Sequence, residues 1–161
     1  MATDPIPNSL TQTDLAQTPL TPDERTVALL AHMLQIMLWW IAPLVIFVIR
    51  RNSKFVSFHA LQALLLQIVH LLLPASAVIL WLGVMLLAAA SAPASGHRPP
   101  PPEIYLLMPV LLLSWIAVEV TILIAAIVYG LKAGRGEWAE YPVVGALALK
   151  ILKLRPGGVP A

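Results

Sequence analysis

Cysteine is absent from all 161 residues, which removes disulfide frameworks, thiolate nucleophiles and Cys-ligated metal or iron–sulfur centres. Charge is nearly as scarce: 11% of residues are Asp, Glu, Lys or Arg, against roughly 25% in soluble domains. The spacings that mark enzymes are missing too. No GxSxG, HExxH or Gly-rich phosphate loop occurs, so no catalytic residue is nominated and the chain is expected not to be an enzyme. Gly134-Arg135-Gly136 is too short a glycine signal to mean more than a turn. Ser114 and Thr121 lie in an apolar run, where a hydroxyl bonds its own helix backbone. What is abundant is hydrocarbon: 59% of residues are hydrophobic and the mean hydropathy is +0.84. This is the composition of an integral membrane protein, and its length suits one small helical bundle rather than a bundle plus a soluble domain of ~100–150 residues. The pI of about 9.2 does not call for nucleic acid, because the basic residues flank apolar runs, where they orient the chain and meet anionic headgroups. The partners implied are the lipid bilayer and other membrane proteins, with no small-molecule substrate indicated.

Residues 1–20 are rich in Thr, Pro, Gln and Asp and read as a disordered, solvated tail, not a signal peptide. Residues 21–161 form a single helical membrane domain. It opens at Thr21-Pro22-Asp23-Glu24, which predicts an N-cap, a proline at the first helical position and a capping box. Three apolar runs follow, at about 26–49, 55–90 and 103–130, each meeting the ~20 residues that cross the hydrocarbon. Pro43 predicts a kink in the first, near Trp39-Trp40. The second is too long for a perpendicular span: it is either one tilted helix kinked at Pro74 or a hairpin turning there. Positive charge favours one crossing. With three spans, Arg50, Arg51, Lys54, Lys132, Arg135, Lys150, Lys153 and Arg155 share a side, leaving Arg25 and Arg98 opposite. The expectation is therefore an all-α bundle of three transmembrane helices in a bacterial inner membrane, N-terminus outside and C-terminus cytoplasmic. Its tail, 138–155, is expected to lie on the membrane as an amphipathic helix, with Val143, Val144, Leu147, Ile151 and Leu154 on one stripe and Trp138 and Tyr141 at the headgroups.

Polar residues inside such spans are costly. Counted from the basic ends at ~1.5 Å per residue, Gln35, Gln67, His70 and Glu119 all lie ~16–22 Å deep, within about a helical turn of one another. Glu119 is the most expensive of them, and His70 and Gln67 are its expected partners. The plain reading is interhelical glue; a polar path, proton relay or docking site is the functional one. A third is cofactor ligation: His32, ~25 Å from the end of its helix, is close in depth to His70, and two imidazoles on neighbouring spans could hold haem or chlorin. No paired-His spacing supports this, so the default is no cofactor and no metal.

Three segments carry a family resemblance: the start Asp23-Glu24-Arg25-Thr26, the junction Lys54-Phe55-Val56-Ser57-Phe58-His59-Ala60-Leu61-Gln62-Ala63, and the exit from Tyr129-Gly130 through Gly136-Glu137-Trp138-Ala139-Glu140-Tyr141-Pro142. Together they resemble the Tic-twenty-like family, small bacterial membrane proteins of unknown function similar to the twenty-kilodalton subunit of the chloroplast inner-envelope translocon. The resemblance singles out Phe58, His59, Gln62, Gly136, Glu137, Tyr141 and Pro142. It implies a helical bundle and work in protein import or as a component of a membrane complex. The function expected from the whole sequence is that of a non-enzymatic subunit or assembly partner of a membrane complex, the alternative being a translocon-like or channel-like conduit.

Overall fold

The structure, a computed structural model, describes residues 19–90 and 102–158. Among these the fold is all-α: α1 (Pro22–Leu38), α2 (Ile41–Ile49), α3 (Lys54–Ala90), α4 (Pro102–Gly134) and α5 (Val144–Leu152), closed by a short 3-10 turn at Pro156–Gly158. The start of α1 is as the sequence predicts. The Thr21 hydroxyl accepts from the Glu24 amide at 3.2 Å, and the Glu24 carboxylate accepts from the Thr21 amide at 2.9 Å, so two orphan donors are satisfied reciprocally.

The first expected span is not a single crossing. Trp39 adopts φ 50°, ψ −132°, and the chain reverses instead of kinking. The Arg50 guanidinium lies 2.9 Å from the Asp23 carboxylate, and the Ser53 hydroxyl donates to Glu24 at 2.7 Å. A continuous helix would hold residues 23 and 50 ~40 Å apart. The reason for the break is Pro43: it has no N–H for the Trp39 carbonyl, but in the first turn of a new helix that loss costs nothing. The result is a helical hairpin whose legs of 17 and 9 residues are each shorter than the ~20 that cross a membrane. Trp39 and Trp40 are exposed at its tip.

Two helices, α3 and α4, are long and apolar enough to cross. α3 runs unbroken through Pro74, which decides against the hairpin alternative there. α3 and α4 are antiparallel, and α1 runs alongside α3. Hence the start of α1, the α2–α3 junction and everything after α4 gather at one end. This end holds Arg25, Arg50, Arg51, Lys54, Lys132, Arg135, Lys150, Lys153 and Arg155, nine of the ten cations; Arg98 falls outside the described residues. The two ends of the described chain therefore share a side, contrary to the expectation of opposite sides.

The core lies at this cationic end. Phe58 and Leu61 of α3 pack against Ala148, Leu149 and Leu154, with Phe47 and Trp138 beside them; Phe55 packs with Ala28 and Ala133. The helix of the tail packs one side against α3 and leaves an apolar stripe of Val143, Leu147 and Ile151 exposed on the other. It is shorter than expected, Val144–Leu152, and of the expected stripe Val144 and Leu154 are buried against the bundle instead. Tyr141 is buried and Trp138 packs in the core: Tyr129 of α4 covers the Tyr141 ring, and Phe55 and Phe58 of α3 cover Trp138. Val143, 84% exposed, is held at φ 67°, ψ −61° by a Val144 amide to Pro142 carbonyl bond of 2.8 Å. This is a γ-turn of the rarer hand, strained for a β-branched residue.

Two predictions follow from this packing. A Cβ on Gly145 would lie 2.8 Å from Glu140 Cβ and 2.9 Å from Gln62 Oε1, so Gly145→Ala is expected to destabilise by about 1–3 kcal/mol, read as a lowered melting temperature in detergent. Glu24 is held below its ordinary value of 4.5 by the Ser53 hydroxyl first and the Thr21 amide next. Its contribution is complete above the unfolded-state value and disappears as pH falls through the depressed folded-state value. Acid titration of the fold should show a shallower loss of stability in Glu24→Gln than in the wild type; parallel curves would deny Glu24 this role.

Candidate functional site

Two polar clusters occupy the bundle, one above the other. The lower is formed by residues of the junction and exit motifs. Gln62 on α3 holds the segment after α4 at two points: its Nε2 donates to the Ala139 carbonyl at 3.2 Å, and its Oε1 accepts from the Tyr141 amide at 2.8 Å. His59, one turn earlier, meets the Glu137 carbonyl through Nε2 at 3.1 Å, and its Nδ1 lies 3.1 Å from His32 Nε2 on α1. His32 Nδ1 in turn lies 3.1 Å from the Tyr141 hydroxyl. One group fixes every proton in this chain. A carbonyl can only accept, so neutral His59 carries its proton on Nε2 and accepts at Nδ1; His32 must then donate from Nε2 and accept at Nδ1; Tyr141 must donate. Burial pushes the Tyr141 phenol up, which keeps it a donor.

Aromatic rings seal this cluster. Phe55 and Phe58 flank His59 at centroid distances of 4.6 and 5.2 Å, Trp138 covers both phenylalanines, and Tyr129 stacks on Tyr141 at 4.0 Å. Gly136 turns the chain at φ 86°, the left-handed region where glycine costs least. The Glu137 carboxylate points elsewhere, 3.8 Å from Arg135, and Pro142 begins the γ-turn. His59, Gln62 and Tyr141 are thus all engaged within the bundle, while Glu137 takes part through its backbone carbonyl alone.

The upper cluster unites the four residues placed together by depth. His70 Nδ1 lies 3.3 Å from Gln67 Oε1, and His70 Nε2 lies 2.6 Å from Glu119 Oε1. Gln67 Nε2 donates to the Gln35 carbonyl at 3.4 Å, and the Trp115 indole donates to Glu119 Oε1 at 2.5 Å. Gln67 Oε1 can only accept, so His70 carries a proton on Nδ1, and a single further proton is shared between His70 Nε2 and Glu119. Both ways of placing it leave the pair with no net charge, which is what an apolar surrounding favours. Gln67, His70 and Glu119 line a cavity of about 240 Å³ between α1, α3 and α4. Gln35 lines it too and is 1% exposed; its amide approaches the Tyr141 hydroxyl, yet neither Nε2 nor Oε1 is hydrogen-bonded.

Ser114 and Thr121 bond the carbonyls of Val110 and Ala117, each at 2.8 Å. Among the described residues no three His, Cys, Asp or Glu side chains gather. Sequence reasoning paired His32 with His70; the structure pairs it with His59, because the hairpin brings α1 in from the other end. Trp115 was missed, though its place four residues before Glu119 puts the two on one helical face. Tyr129 was missed as well, and only the fold reveals its neighbour.

A family model described as MamF/MmsF, the magnetosome magnetite crystal formation protein family, matches residues 23–148. The resemblance to the translocon-related family is thereby corrected: the matching family is a different one. No curated protein and no solved structure matches the chain.

Because Gln62 satisfies two buried backbone groups, Gln62→Leu strands both and is expected to cost about 2–5 kcal/mol. Chemical denaturation of the purified protein checks this, and a loss under 1 kcal/mol would mean that the 137–141 segment finds other partners.

Proposed function

This chain belongs to the MamF/MmsF family, the magnetosome magnetite crystal formation proteins, and from that premise we propose that it serves crystal formation from within the magnetosome membrane, as a non-enzymatic subunit or assembly partner of a larger membrane complex. The observation that carries this reading is excess apolar length. α3 has 37 residues and α4 has 33, ~55 and ~50 Å of helix, against ~30 Å of hydrocarbon. A tilt of ~40°, the upper end of what spanning helices adopt, still leaves about 40 Å along the membrane normal. The apolar exterior persists throughout. Val45, Val48 and Ile49 are exposed near the cationic end, and Leu71, Leu80, Leu86, Leu106 and Leu113 beyond the polar cavity, where α3 and α4 barely touch each other. Helices apolar all round need lipid or protein on every side, and lipid alone is too thin.

The distribution of charge supports action within the membrane over templating of mineral by an acidic face. Asp23, Glu24, Glu137 and Glu140 lie at the cationic end, Glu119 lies in the cavity, and at the far end of the described chain only Glu103 is acidic. The positive-inside rule sets the cationic end in the cytoplasm, with α1 and α2 as a re-entrant hairpin.

Photoreactive residues at Leu80 and Leu113, introduced one at a time in native membranes, test this. Discrete protein adducts are expected at both. Adducts to lipid alone, together with a clean monomer in mild detergent, would overturn the assembly reading.

A further inference from the structure

We infer that the upper cavity binds a neutral, membrane-soluble molecule carrying a hydroxyl on an apolar body, a phenol or an alcohol, whose hydroxyl donates to the outer oxygen of Glu119. The site lies within one chain and is independent of the assembly reading. The first argument concerns that oxygen, Oε2. Its companion Oε1 is taken twice: it lies 2.6 Å from His70 Nε2 and accepts from the Trp115 indole at 2.5 Å. Among the described residues nothing bonds Oε2. Nor is it shut away, since the Glu119 side chain is 43% exposed and neither of its oxygens is occluded without a partner. What Oε2 can do follows from the proton shared between Nε2 and Oε1. On Oε1 that proton leaves Oε2 the carbonyl oxygen of a carboxylic acid; on Nε2 it leaves Oε2 an oxygen of a carboxylate. Either way Oε2 offers lone pairs and no hydrogen, so its partner must donate. The partner must also be uncharged, because the pair is already neutral and a cation set against it would leave a net charge in apolar surroundings.

The second argument is the lining. Ile36 and Trp39 at the hairpin tip and Val120 and Leu123 on α4 wall the cavity around the carboxyl, and all four are exposed, so it opens sideways into hydrocarbon. Its volume of about 240 Å³ exceeds the ~150 Å³ that admits a benzene ring. Neither common occupant meets both demands. An acyl chain suits the walls but has no donor for Oε2. Water can donate, but it needs ~2–4 polar partners, and here both ring nitrogens of His70 are bound and the Gln35 amide is occluded. A hydroxyl on an apolar body satisfies the oxygen and the walls together, the usual division of a ligand pocket between apolar lining and a few placed polar groups.

The probes are para-fluorophenol and para-fluoroanisole, similar in shape, the second methylated at oxygen and so without a donor. Fluorine NMR follows each as it is titrated into the full chain in lipid nanodiscs, with empty nanodiscs reporting partition into lipid alone. The expected result is saturable binding of one fluorophenol per chain, with fluoroanisole bound about tenfold or more weakly for want of one hydrogen bond to a carboxyl group. Glu119→Leu keeps an apolar cavity without the acceptor and should abolish the preference between the two probes. Leu123→Trp, one turn after Glu119 on the same helical face, fills the cavity and should abolish saturable binding of both. Because Glu119→Leu leaves the His70 ring unpaired, helix content and melting temperature check its fold; Leu123→Trp keeps the pair and carries the test should Glu119→Leu fail to fold. No saturable binding by the wild type, equal binding of the two probes, a preference that survives Glu119→Leu, or binding unchanged in Leu123→Trp would each overturn the site.

Discussion

The fold depends on the hold that α3 takes on the backbone after α4. A carbonyl and an amide in an extended segment have no helix to satisfy them. Gln62 supplies a donor to one and an acceptor to the other, and His59 donates to a third group two residues earlier. All of this lies where Phe55, Phe58 and Trp138 exclude water, so each bond is stronger than at a surface and each lost partner more costly. The same contact draws His32 and Tyr141 into line. It thereby fixes α1 against α3 and leaves Tyr141 beside Gln35, under the floor of the upper cavity. The lower cluster is a structural clasp.

The two clusters solve one problem differently. Polar groups surrounded by hydrocarbon must be neutral and paired. The lower cluster does this with a single-file chain whose direction is set by one carbonyl, and every member is saturated. The upper cluster reaches neutrality by sharing a proton between an acid and a base, and leaves Gln35 unpaired at its edge. Saturation suits a joint that should not change.

Much of this was legible in the sequence. The Thr21 capping box, the two long helices and the partnership of His70 with Glu119 follow from local chemistry and apolar length, and the structure contains them. The reversal at Trp39 was not legible, because Pro43 licenses a kink and a restart equally; the choice falls to contacts between residues 23 and 50, which local pattern does not encode. Its consequences differ by residue. Gln35 lies almost midway between Pro22 and Ile49, so its distance from the cationic end is ~20 Å counted along either a spanning helix or the first leg of a hairpin. The depth argument therefore places it correctly even though the span is wrong. His32 is not midway. Counted from Pro22 it is ~15 Å deep rather than ~25 Å, which moves it from the level of His70 to that of the clasp.

The reversal also makes the charges consistent with the apolar surface. As a full crossing, the first apolar run would leave Arg25 on the far side with Arg98, a mild violation of the asymmetry that orients membrane proteins. As a hairpin it returns Arg25 to the end where the other described cations stand, and Asp23 and Glu24 come with it to meet Arg50 and Ser53. Those exposed contacts are individually weak, about 1 kcal/mol or less. Their effect is directional: they reward the arrangement that the charge asymmetry already prefers, while the cost of the turn is limited because Pro43 has no amide to strand. The hairpin then leaves its Trp-bearing tip beside the polar cavity, with Trp39 among the residues that line it. The end of α1 and the turn after it, through Gln35, Ile36 and Trp39, form the third wall of the cavity that the His70–Glu119 pair lines.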